Sequence, residues 1–141
     1  MLFRSYKTHA KENSLYNTPP VFCVWAYKLV CEWLKENGGL DAAQERAEKK
    51  ASLVYGAIDA SDGYYRCPVS TTCRSRMNLV WRLPTEDLEK KFVSEASAKG
   101  MVGLKGHRSV GGIRASIYNA MPIEGVEALV SFMNDFRKAN A

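Results

Sequence analysis

The sequence predicts an α+β fold in which a small, mostly antiparallel sheet is covered by helices on one face. Two observations carry this prediction. Apolar residues recur at helical spacing from about residue 18 to residue 58, and beyond residue 62 the period changes to the alternation of a half-buried strand. The later segments then follow in the order strand, helix, strand, strand and helix, which is typical of a two-layer α+β domain.

Two helices are predicted before the sheet. The first is expected to start at Thr18 and Pro19, because threonine is a good N-cap and proline suits the first helical position. Gly38 and Gly39 would end it in a left-handed conformation. Its apolar positions are typical of a core or an interface and comprise Phe22, Trp25, Leu29 and Trp33. The first 16 residues show no clear period, and no element is predicted there.

The second helix is expected to run from Asp41 to about Ile58. One face is apolar and carries Ala43, Ala47, Ala51, Val54 and Ile58. The opposite face is charged and carries Glu45, Arg46, Glu48, Lys49 and Lys50. Turn-forming residues at 59–63 would end this helix.

The sheet and its covering helices are predicted in the remaining sequence. The first strand has alternating apolar residues, namely Met77, Leu79, Trp81 and Leu83. A helix then starts at residues 84–87, ends at Gly100 and carries Leu88, Phe92, Val93 and Ala96. Short strands follow at residues 101–104 and 113–117. The last helix begins at Pro122. Its inward-facing residues are Val126, Leu129, Val130, Met133 and Phe136.

Composition excludes several classes of protein. The chain has 141 residues, of which 46% are hydrophobic and 25% charged, as in a globular domain. No apolar run approaches the roughly 18 residues that span a bilayer, and the N-terminus lacks signal-peptide features. A membrane or secreted protein is therefore disfavoured and a cytoplasmic one expected. The four cysteines lack zinc-knuckle spacing, so we expect reduced thiols and no metal site.

The net charge of +5 is concentrated in the middle of the chain. Residues 62–120 carry ten Lys and Arg against five Asp and Glu. This imbalance indicates an anionic partner, either a small phosphate or carboxylate ligand or a nucleic acid. Nucleic-acid binding rests on charge alone, since the sequence has no RNP-like aromatic pair, zinc-finger spacing or long basic helix.

The densest polar segment runs from Lys105 to Arg114 and combines His107 and Arg108 with three glycines. Glycine allows close approach of the backbone to a ligand, and arginine matches carboxylate or phosphate with two parallel hydrogen bonds. The segment is therefore a candidate anion pocket. The alternative is a hairpin whose basic side chains only face water, but Arg114 lies in an alternating strand and must point to one definite face.

A second candidate is the pair Asn17 and Thr18 at a helix start, where free N–H groups and the helix dipole favour a phosphate. By itself this signal is weak, because a threonine there is usually only a cap. The sequence has no Walker loop, dinucleotide fingerprint, nucleophile elbow or metalloprotease motif.

Five ordered segments give the sequence a close resemblance to the phosphoserine aminotransferase family. They are residues 16–20 (YNTPP), 33–39 (WLKENGG), 74–78 (RSRMN), 105–112 (KGHRSVGG) and 114–119 (RASIYN). Members of that family are homodimeric pyridoxal-phosphate enzymes. They transfer an amino group from L-glutamate to 3-phosphohydroxypyruvate in L-serine biosynthesis.

The resemblance implies a fold class of α/β type, namely the C-terminal part of a transferase of the aspartate aminotransferase type. Residues 1–50 would be the end of the large cofactor domain, and residues 51–141 the small C-terminal α+β domain. Most of the cofactor domain would then lie upstream of Met1.

The resemblance also implies roles for individual residues. Asn17 and Thr18 correspond to the pair that binds the cofactor phosphate of the neighbouring subunit. His107 and Arg108 correspond to the pair that holds the substrate's phosphate or distal carboxylate across the dimer. Arg114 corresponds to the arginine that grips the substrate α-carboxylate.

The family's Schiff-base lysine has no counterpart in this chain, and Lys7 does not match the motif around it. No catalytic residue is therefore assigned, and the chain alone is expected to be inactive. The alternative is a non-catalytic, truncated interaction or dimerisation module that retains an anion pocket.

Overall fold

A computed structural model describes residues 5–141. Within that range the helices and strands follow in the order α1 (Tyr6–Lys11), α2 (Val21–Glu36), α3 (Gly39–Asp59), β1 (Asn78–Trp81), α4 (Glu86–Ala98), β2 (Ile113–Ser116) and α5 (Ile123–Asn140). A short 3₁₀ turn spans Thr71–Cys73. None of the helices in the described range has the length and apolar character needed to cross a membrane.

The chain divides into two compact units, Met1–Leu40 and Asp41–Ala141. None of the described residues in the first unit is buried, whereas the second unit contains a continuous hydrophobic core. The predicted domain boundary after residue 50 falls inside α3. Assignment of residues 1–50 to a larger cofactor domain remains a prediction.

The first unit corrects the prediction at the start of its long helix. Thr18 is not the N-cap, because α2 begins at Val21 and Pro20 occupies the cap position. A residue that precedes proline avoids the helical region, so Pro20 excludes Pro19 from the helix. The predicted end is confirmed, since Asn37 caps the helix and Gly38 adopts a φ of 87°. The six-residue helix α1 was not predicted and buries no side chain.

The second unit is built on two antiparallel strands. Leu79 and Trp81 of β1 pair with Ala115 and Ile113 of β2, and all four side chains are buried. Isolated bridges extend the sheet at both edges, between Arg66 and Arg82 and between Lys105 and Ile113. The predicted alternation of both strands is thereby confirmed.

The predicted strand at residues 101–104 is wrong. Among the residues described, its contribution to the sheet is the hydrogen bond from Arg114 N to Leu104 O, at 2.8 Å, next to the bridge at Lys105. Gly103 has a φ of 79°, which interrupts the extended backbone that a strand requires.

The core lies on one face of the sheet, against α3, α4 and α5. Phe92 of α4 is fully buried and is surrounded by aromatic rings, with centroid distances of 4.9 Å to Phe132, 5.1 Å to Phe136, 6.1 Å to Trp81 and 6.2 Å to Tyr65. Such edge-on contacts add to the free energy gained from burial of apolar area. The single covered face agrees with the predicted α+β layer.

Lys50 was predicted on the charged face of α3 and is instead buried, with 4% of its surface exposed. Its Nζ donates to the carbonyls of Ile117 at 3.1 Å, Tyr118 at 2.7 Å and Met121 at 3.0 Å. Burial and then repulsion from Arg46 lower the pKa of Lys50. The ammonium group therefore connects α3 to the segment that follows β2.

We expect Lys50→Met to lower the free energy of unfolding by about 2 kcal/mol, because three carbonyls lose a charged donor. Urea denaturation followed by circular dichroism measures this loss. Lys49→Met is the matched control, since Lys49 is exposed and its replacement should be nearly neutral. Equal stability of the two variants would contradict this role of Lys50.

A second connection joins the end of α3 to the loop before β1. Arg74 donates to both oxygens of Asp59, at 2.6 and 2.8 Å, and its guanidinium lies 4.7 Å from the centre of the Tyr55 ring. The hydrogen bond from Arg74 holds the pKa of Asp59 below the ordinary range of a carboxyl group.

A depressed folded-state pKa stabilises the fold above the unfolded-state pKa of Asp59, near pH 4, and the contribution is lost as the pH falls below that value. We therefore expect Asp59→Asn to be less stable than the parent at neutral pH and to approach it in acid. Urea denaturation at a series of pH values tests this. A stability difference that stays constant down to about pH 2 would contradict it.

Candidate functional site

The glycine-rich segment 105–112, termed the basic loop, lies beside α4 and forms a cleft of about 860 Å³. The helix contributes polar side chains to this cleft, including Lys90, Ser94 and Ser97. From the loop come Lys105, His107 and Arg108, all of which are exposed. The structure thus brings two of the predicted anion-binding residues, His107 and Arg108, into one cleft.

Glycines determine the shape of the basic loop. Gly106 N donates to Gly112 O at 2.8 Å, and a Cβ on Gly106 would overlap the Gly111 carbonyl. Gly111 and Gly112 have φ angles of 75° and 73°, which disfavour residues with side chains. The backbone can therefore close on itself and leave the intervening side chains projecting outward.

His107 is oriented by its neighbours in the loop. Ser109 N donates to His107 Nδ1 at 3.3 Å, and the hydroxyl of Ser109 lies 2.7 Å from the same nitrogen. In the neutral imidazole the ring proton is then on Nε2, which can donate to an anion. Within the described residues Arg108 makes no side-chain hydrogen bond or ion pair. Both side chains are thus available to a ligand.

The loop is anchored by Glu89 and Arg82, which the sequence analysis did not identify. The carboxylate of Glu89 is 3.0 Å from Arg82 Nε and accepts from Leu83 N at 3.3 Å and Gly112 N at 3.2 Å. Arg82 Nη1 in turn donates to Val110 O at 2.6 Å. One buried carboxylate therefore connects α4, the end of β1 and the basic loop.

A signal for Glu89 is present in the sequence. Glu89 precedes Phe92 by three residues and Ala96 by seven, so all three lie on the inward face of α4. A glutamate on an apolar helix face indicates a buried carboxylate, and such a group requires hydrogen-bond donors.

Arg114 is on the face of the sheet opposite the core. It is paired with Val80 in the antiparallel register, between the buried Ile113 and Ala115. Its Nε is fully buried and has no acceptor among the residues described. The prediction that Arg114 points to one definite face is confirmed, and it is not among the residues lining the cleft.

Asn17 and Thr18 belong to the first unit and precede α2. Both are exposed, and neither side chain forms a hydrogen bond within residues 5–141. Their polar groups are thus free to meet a phosphate at the start of a 16-residue helix. All four cysteines are free thiols, and no cluster of metal-ligating side chains occurs among the described residues.

Comparison with protein families assigns the chain to a known group. The aminotransferase class-V model matches residues 2–129. The chain belongs to the aminotransferase class-V family. Its sequence is 60% identical to the phosphoserine aminotransferase of Laribacter hongkongensis over 133 residues, which are 94% of this chain and 37% of that protein.

A second relative, the phosphoserine aminotransferase of Herpetosiphon aurantiacus, is 60% identical over 93% of this chain and 36% of its own length. The chain thus spans little more than one third of the length of these curated relatives.

Solved structures support the fold. The phosphoserine aminotransferase from Bacillus circulans subsp. alkalophilus superimposes with a TM-score of 0.89 at 54% identity, over 96% of this chain and 38% of the other. A PLP-bound phosphoserine aminotransferase from Trichomonas vaginalis superimposes with a TM-score of 0.82 at 39% identity, over 92% of this chain and 37% of the other. The predicted fold class and the predicted family resemblance are confirmed.

We expect Glu89→Ala to cost about 3 kcal/mol of unfolding free energy, because Arg82 and two backbone N–H groups lose their acceptor. The amide of Gly112 should exchange faster with solvent. Urea denaturation and hydrogen exchange provide the two measurements.

Glu86→Ala is the matched control, because Glu86 also lines the cleft but is exposed in the first turn of α4. Its replacement should cost less than about 1 kcal/mol. Unchanged Gly112 exchange in Glu89→Ala would exclude the proposed anchoring of the loop.

Proposed function

We propose that this chain forms the C-terminal portion of a phosphoserine aminotransferase, which transfers the amino group of L-glutamate to 3-phosphohydroxypyruvate in L-serine biosynthesis. The observation that carries the proposal is the presence of two distinct cationic groups in one unit, the basic loop and Arg114. Both substrates of this reaction carry an α-carboxylate and a second anion, so two separate cationic groups suit them.

Each cationic group has a role in this proposal. Arg114 offers its guanidinium to the α-carboxylate, and its buried Nε gains the acceptor that the described residues do not provide. His107 and Arg108 hold the substrate's phosphate or distal carboxylate. The exposure of both side chains supports contact with an active site of the other subunit in a homodimer.

The cofactor of the complete enzyme is pyridoxal 5′-phosphate, which when bound withdraws electrons from the amino-group carbon. Asn17 and Thr18 fit its phosphate, because they offer an amide and a hydroxyl beside the positive end of α2. In the proposed homodimer they serve the cofactor of the neighbouring subunit. We include a cytoplasmic location in the proposal, since phosphate esters cross membranes poorly.

The chain alone is proposed to be inactive, because none of its lysines matches the family's cofactor-bound lysine. The alternative proposal is a non-catalytic dimerisation module that keeps the anion pocket. The exposed apolar residues of α2, with Phe22 73% and Trp25 54% exposed, favour a surface that meets other protein. Transamination by a chain in which the missing part of the enzyme has been restored would support the first proposal and contradict the dimerisation module.

The test is a chimera in which this chain replaces the matching segment of the Laribacter hongkongensis relative. Purified chimera is loaded with pyridoxal phosphate, and formation of phosphoserine from L-glutamate and 3-phosphohydroxypyruvate is measured. We expect activity, and we expect Arg114→Ala to lower kcat/KM for both substrates by about 100-fold, because a charged hydrogen-bonded pair is lost.

Arg76→Ala is the matched control. Arg76 pairs with Glu48 on the surface, so its replacement should leave kcat/KM nearly unchanged. A folded but inactive chimera would refute the proposed function, and an unchanged kcat/KM in Arg114→Ala would refute the role of Arg114. In parallel, the 141-residue chain is titrated with pyridoxal phosphate and reduced with borohydride. Its intact mass is then measured by mass spectrometry. A stoichiometric adduct at one lysine would refute the proposed inactivity.

A further inference from the structure

Three polar side chains form a cluster near Arg114 on the outer face of the sheet. Ser116 Oγ donates to Asn78 Oδ1 at 3.0 Å, and the hydroxyl of Tyr118 donates to the same oxygen at 3.2 Å. Asn78 and Ser116 are direct partners in the register of β1 and β2. Nothing in the proposed function uses this cluster.

The strand register brings the cluster close to Arg114. Arg114 precedes Ser116 by two residues, so both side chains are on the same face of β2. Asn78 is then the diagonal neighbour of Arg114, at a typical separation of about 7–8 Å.

Asn78 has unused donors. Both hydroxyl groups donate to its Oδ1, so the Nδ2 of the same amide points away from them. Its Nδ2 has no acceptor in the described part of the chain, although the residue is partly buried. Arg114 also has a donor without an acceptor, since its Nε is buried and unpaired within residues 5–141. Two neighbouring groups therefore present N–H donors without an acceptor.

Tyr118 is itself held in place. Its carbonyl accepts from Lys50 Nζ at 2.7 Å, and the same ammonium group binds the carbonyls of Ile117 and Met121. The segment after β2 is thus tied to α3, which anchors the backbone at Tyr118. An amide oriented by two hydroxyls, one of them on an anchored residue, is prepared for binding a ligand.

We propose that Asn78 is a second carboxylate-binding residue, whose side-chain N–H donates to the carboxylate that Arg114 binds. Ser116 and Tyr118 are positioning residues that orient the amide. The chemical class of ligand is an α-amino carboxylate, and its assignment as the substrate of this site rests on the proposed function. The donors on Asn78 and Arg114 then share one acceptor group.

The test uses the 141-residue chain labelled with ¹⁵N and titrated with L-glutamate. We expect the Asn78 side-chain amide and the Arg114 Nε–H resonances to shift together with one apparent Kd. The side-chain amide of Asn140, at the end of α5, is the internal control and should not move. The α-amide of glutamate, which lacks the α-carboxylate and keeps the distal one, should shift neither Asn78 nor Arg114.

Variants separate binding from structure. Asn78→Ala should raise the apparent Kd measured at Arg114 by about tenfold, as expected for the loss of a charge-assisted hydrogen bond. Tyr118→Phe should raise it less, and should have no further effect when Asn78 is already alanine, because its action passes through the amide. Asn140→Ala is the matched control and should leave the Kd unchanged.

Three results would overturn the inference: no titration at either group, a shift at Arg114 without one at Asn78, or an unchanged Kd in Asn78→Ala. These results are independent of transamination by the chimera. A coupled titration together with an inactive chimera would refute the proposed function and leave the carboxylate site standing. An active chimera with an unmoved Asn78 would refute this inference alone.

Discussion

The carboxylate of Glu89 holds together the parts of the second unit that carry the basic loop. It meets Arg82 at the end of β1 and Gly112 at the end of the loop, and it arises from α4. A buried carboxylate is costly unless donors surround it, so these contacts form together or not at all. The loop therefore takes its conformation from the same packing that buries Phe92 one helical turn further along α4.

Arg114 and the basic loop differ in how firmly the fold holds them, and this difference suits the proposed substrates. Arg114 lies on a strand whose neighbours Ile113 and Ala115 are buried, so its backbone is fixed by the core. His107 and Arg108 are on a loop that is anchored at one end and exposed between. Both proposed substrates share the α-carboxylate but differ in the second anion. A rigid position for the common group and an adaptable one for the variable group follow from that requirement.

Hydrophobic periodicity was sufficient to predict α2 to α5 and both strands, because burial on one face leaves a regular trace in the sequence. Periodicity gave the wrong assignment where a polar residue lies on the buried face of a helix. Lys50 was placed on the charged face of α3 although it is three residues after Ala47 and four before Val54, both of which are buried. Its carbonyl partners are about 70 residues away, and local periodicity contains no information about them. The cluster around Asn78 escaped prediction for the same reason, since it depends on strand register.

The division of the chain into two units determines which functions can be studied in it. Every described residue of the first unit is at least partly exposed, so α2 gains little from its own packing, which is the main source of helix stability in proteins. Asn17 and Thr18, the residues of the proposed cofactor-phosphate site, are in that unit. Arg114, Asn78 and the basic loop belong to the unit that has a core of its own. The proposed anion binding by these residues can therefore be tested in this chain by itself, and the proposed transamination in the chimera.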